Sequence, residues 1–92
     1  MSEHDEHEDE AFAEAALIQA IENQLEAAQP PAALATLNKL SLVGYERGEI
    51  LHLMAMVLAH EVRAMLDEDR PFDDAAYEQA LRALPELPKE TS

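Results

Sequence analysis

The chain has no cysteine, no tryptophan and only two glycines, and its 6 Lys and Arg face 20 Asp and Glu. Without cysteine there are no disulfides, thiolate nucleophiles or cysteine-based zinc sites. A reducing cytoplasm is the expected home. Gly44 and Gly48 are too few for the glycine-rich loops that cradle phosphates in P-loop and dinucleotide-binding sites. The cations Lys39, Arg47, Arg63, Arg70, Arg82 and Lys89 are dispersed, and the formal charge is −14. Nucleic-acid binding needs a basic face that displaces counterions, so it is not expected, and an anionic membrane surface is disfavoured for the same reason. The longest apolar run, Leu53 to Ala59, is far short of the roughly 20 residues that span a bilayer. No cationic segment leads into an apolar one at the N-terminus, so the chain is expected to be unexported. No stretch alternates with period two, and strands are not expected.

What is present is helical spacing. Residues 1–9, within "MSEHDEHEDE", are expected to form a disordered acidic tail, because their carboxylates repel one another and they offer no apolar stripe. From Glu10 to Ala28, Leu17, Ile18, Ile21, Leu25 and Ala28 share one face of a first helix that ends by Pro30. Phe12 lies off that stripe. Pro31 suits the first turn of a second helix with a Leu34, Leu37, Leu40 face, closed by Gly44 in the left-handed region. A third helix is expected from about Glu46 to Leu66. A fourth starts at Asp73, a capping residue, with Phe72 and Tyr77 placed as a hydrophobic staple, and Pro85 ends it. The fold class is therefore all-α. The expected architecture is a compact four-helix domain over residues 10–88, made of two helical hairpins with the third helix central, and residues 89–92 as a short tail. The two halves echo each other: Leu17, Ile21, Leu25 and Pro30 stand 41 positions before Leu58, Val62, Leu66 and Pro71.

The segments "ENQLEAAQPP", "GYERGEILHLMAMVLAHEV" and "RPFDDAAYEQALRALP" resemble those of short all-helical bacterial proteins of uncharacterised function, over about Glu22 to Pro85. The resemblance implies a helical bacterial protein. It brings no activity and no ligand residue.

The third helix carries the polar residues that invite a functional reading. At about 100° per residue, its apolar residues from Leu53 round through Ile50 and Met54 to Ala55 fill about twice the arc a surface helix needs. Glu49, His52, Met56, Ala59, His60 and Arg63 occupy the rest. Glu61 falls inside the apolar arc and is expected to be buried or half-buried, held by Arg82, Tyr77 or Lys39. Glu49 and His52 form the E-x-x-H pair that di-metal bundles use. A complete site would need a homodimer and further glutamates, such as Glu14 or Glu22, so a solvated pair is the plainer reading. His60 and Glu61 point about 100° apart and do not chelate together. In the tail, Ser2-Glu3-His4 would suit square-planar Cu(II) or Ni(II) if Met1 were removed. Ser41 and Thr36 have no base and orienter near them in sequence, so no triad is legible and no catalytic residue or cofactor is expected.

A core this small buries only about 60% of the surface its unfolded chain exposes. A leftover apolar face is therefore expected to meet a partner protein or a second copy, as in a homodimer, with Met54, Met56 and Met65 as candidate contact residues. The reading is a non-enzymatic protein acting through protein–protein contact, with no small-molecule substrate identified. The alternatives are a metal-binding bundle using Glu49 and His52 across a dimer, and an acidic mimic of nucleic acid.

Overall fold

A computed structural model describes residues 6–88 as four helices: α1 (Glu6–Ala27), α2 (Pro31–Leu42), α3 (Arg47–Glu68) and α4 (Asp74–Ala83). Among the described residues there is no strand, and the fold is an all-α four-helix domain. None of the described helices is long and apolar enough to cross a membrane. The helical backbone begins at Glu6, ahead of the expected start at Glu10. The rest of the proposed tail, with Ser2 and His4, lies outside the described residues, as do residues 89–92.

Three helices close in the same way. The N–H of Gln29 reaches the Gln24 carbonyl (3.0 Å), that of Tyr45 the Leu40 carbonyl (3.0 Å) and that of Arg70 the Met65 carbonyl (3.2 Å). Each bond spans a residue in the left-handed region: Ala28 (φ 55°), Gly44 (φ 105°) and Asp69 (φ 51°). These are Schellman closures, which satisfy carbonyls that would otherwise be orphaned. The first and third stand 41 positions apart, so the sequence echo is carried into the turn geometry.

The helix starts are equally local. Pro31 occupies the first turn of α2. Glu46 and Glu49 close a capping box on α3, with the Glu46 N–H donating to Glu49 Oε1 at 3.2 Å. At α4, Asp73 Oδ1 accepts from the Ala76 N–H at 3.0 Å, and the Phe72 and Tyr77 rings meet edge to face with centroids 5.4 Å apart. Cap and staple are thus both in place. Replacing Asp73 with alanine is expected to cost about 0.5–2 kcal/mol, read as a lower denaturant midpoint with an unchanged slope. An unmoved midpoint would remove the cap from the account.

The C-terminal end of α4 is held from α2. The buried Thr36 hydroxyl donates to the Leu81 carbonyl at 3.0 Å, and Lys39 Nζ donates to the Arg82 carbonyl at 2.7 Å. A helix of ten residues is marginal alone in water, so these bonds and the burial of Tyr77 and Leu81 fix it. Lys39 also places a cation where the helix dipole favours one.

Helix α3 packs against all three others, as expected of a central helix, and α2 does so as well. The buried face of α2 is Ala32, Ala33, Thr36 and Leu40, so of the expected Leu34, Leu37, Leu40 row Leu40 alone belongs fully to it. Leu34 is exposed and Leu37 half-buried. Small residues let α2 sit close between its neighbours, and that close approach outweighs the area a leucine would bury. The core is completed by Ile21, Ile50, Met54, Val57, Leu81 and Leu84, with Tyr77 at its edge.

Candidate functional site

The buried arc of α3 comprises Ile50, Leu51, Met54, Ala55, Val57, Leu58 and Glu61, while Glu49, His52, Met56 and Arg63 are exposed. Glu61 is 7% exposed, as its position requires. The partners proposed for it are engaged elsewhere. Lys39 is spent on the Arg82 carbonyl, and the Tyr77 hydroxyl donates to Gln24 Oε1 at 2.8 Å. The Arg82 side chain is exposed and forms no ion pair with Glu61 among the described residues. The cation in the field of Glu61 is Arg70, delivered by the turn after α3. The hydrogen bond that its guanidinium donates to Glu68, and then the charges of Glu68, Asp73 and Glu61, hold it protonated beyond its ordinary range against the opposing effect of desolvation. Among the described residues, no fully buried side-chain nitrogen or oxygen lacks a partner. Glu61, with no hydrogen bond of its own there, therefore keeps its oxygens in touch with water while its stem is buried.

Glu49 and His52 do not converge. Glu49 turns back to the Glu46 backbone, and His52 Nδ1 meets Glu14 Oε2 of α1 at 2.8 Å with both side chains about half exposed. Glu14 was expected to reach this site only across a dimer, yet it pairs with His52 inside one chain. Among the described residues, no three His, Asp or Glu side chains gather as a metal site. Glu22, half-buried on α1, lines a different depression with Gln19 and Arg47.

Tyr77 is the group most displaced from its ordinary ionisation. Burial pushes its phenol up to about 12, against the opposing effect of the Gln24 hydrogen bond. The folded value lies above the unfolded value of about 10, so the folded state holds the proton more tightly. The contribution is complete below about pH 10 and is lost as pH rises towards 12. Native protein should therefore lose up to about 2 kcal/mol across that window relative to Tyr77→Phe, after discounting for partial solvent screening. Parallel stability curves for the two proteins would contradict the assignment.

The methionine cluster does not form one surface. Met54 is fully buried in the core and is excluded as a contact residue of the folded chain; Met65 is half-buried and Met56 exposed. A methionine at the centre of the arc fills the core, as adaptable side chains commonly do.

Among the described residues, an open apolar surface lies between α1 and α3. A trough of about 450 Å³ is lined by Ala13, Ala16 and Leu17 on one side and Ala59, Val62 and Leu66 on the other, with Arg63 and Asp67 also on its wall. Leu66 is 70% exposed. Two other depressions, of about 390 and 430 Å³, have mixed walls: Gln24, Gln29, Asp74 and Glu78 beside prolines and aromatic rings in the first, and Gln19, Glu22, Asn23, Glu26 and Arg47 beside leucines in the second. The sequence placed Leu17, Val62 and Leu66 on core-facing stripes. What it did not signal is that alanines flank them, leaving the two helices without bulk to close the space between them. The Glu14–His52 pair bridges the same two helices and links their positions across the surface.

Comparison with protein-family models, with curated proteins and with solved structures finds no match to this chain.

Proposed function

We propose that the chain is a non-enzymatic contact module whose working surface is the α1/α3 trough. The observation that carries this reading is the state of the trough itself: Leu17, Val62 and Leu66 line an open apolar surface, although the core behind it is closed. Apolar area left facing water is stabilised when a partner covers it, at about 25 cal/mol per Å². Two of the chain's hydroxyls have structural roles: Thr36 is committed to Leu81 and Tyr77 to Gln24. On this reading the chain is one of the short all-helical bacterial proteins its sequence resembles, and it works by docking a protein segment or a second copy of itself.

The test compares Leu66→Glu with Leu42→Glu. Both leucines are exposed, so both variants should keep an unfolding midpoint close to native. A labelled amphipathic helical peptide with a leucine stripe and an uncharged glutamine face is titrated into each protein. Leu66→Glu should weaken binding about tenfold or more, equivalent to about 1.4 kcal/mol, and Leu42→Glu should leave it unchanged. Equal effects in the two variants would remove the trough as the working surface.

A further inference from the structure

We draw no further inference here: the strongest candidate, the apolar trough between α1 and α3, is the surface already described, and with one cation, Arg63, and one carboxylate, Asp67, on its wall, nothing in the structure shows what covers it.

Discussion

Replacing Leu81 with alanine is expected to lower the unfolding free energy by about 2–5 kcal/mol. Leu81 is fully buried, and together with Tyr77 it supplies the buried surface of α4. Its side chain enters the core cluster that includes Met54, Val57 and Leu84, and its carbonyl accepts the Thr36 hydroxyl from α2. Truncation removes the transfer energy of the missing carbons and leaves a cavity, because a core held by three other helices collapses only in part. Small domains hold only about 5–15 kcal/mol in total, so the loss is a large share. The denaturant midpoint should fall steeply with little change of slope. A loss under about 1 kcal/mol would mean that α4 does not dock through this residue.

Ala33→Leu is expected to destabilise by about 1–3 kcal/mol, whereas Leu34→Ala next to it should cost less. Ala33 is fully buried on the face of α2 that meets the other helices, and Leu34 is 37% exposed at the domain's edge. A leucine at position 33 forces three more carbons into packed space, with off-rotamer side chains or a displaced α2 as the outcome. Paired denaturant unfolding of the two variants checks the order. A reversed order would restore the leucine row as the true core face of α2.

That contrast shows where the sequence was legible. In α3, large apolar residues dominate the pattern, so the arc, the exposure of His52 and Met56 and the burial of Glu61 could all be read from periodicity. Helix α2 packs chiefly with alanines and a threonine, which carry little hydrophobic weight, and Leu34 and Leu37 misled while Leu40 was read correctly. The Asp73 cap and the Gly44 closure were legible because those residue types have a strong local role. The closures at Ala28 and Asp69 use residues with no such mark, and Pro30 and Pro71 only bounded them. The partners of Glu61 were not legible, since the nearby cation comes from the α3–α4 turn and not from a facing helix. The trough was missed for a related reason: periodicity assigns a leucine to an inner face but does not report whether an alanine on the next helix leaves it uncovered.

The most direct test of the α1/α3 trough as a docking surface is an amide NMR footprint of the glutamine-faced leucine-stripe peptide on the isotope-labelled full chain. Shifts concentrated at Ala13, Ala16, Leu17, Ala59, Val62 and Leu66, with Leu42 and Val43 unmoved, are the result the account predicts. Shifts centred on Leu42 and Val43 or on the other two depressions, with the trough amides unmoved, would contradict it.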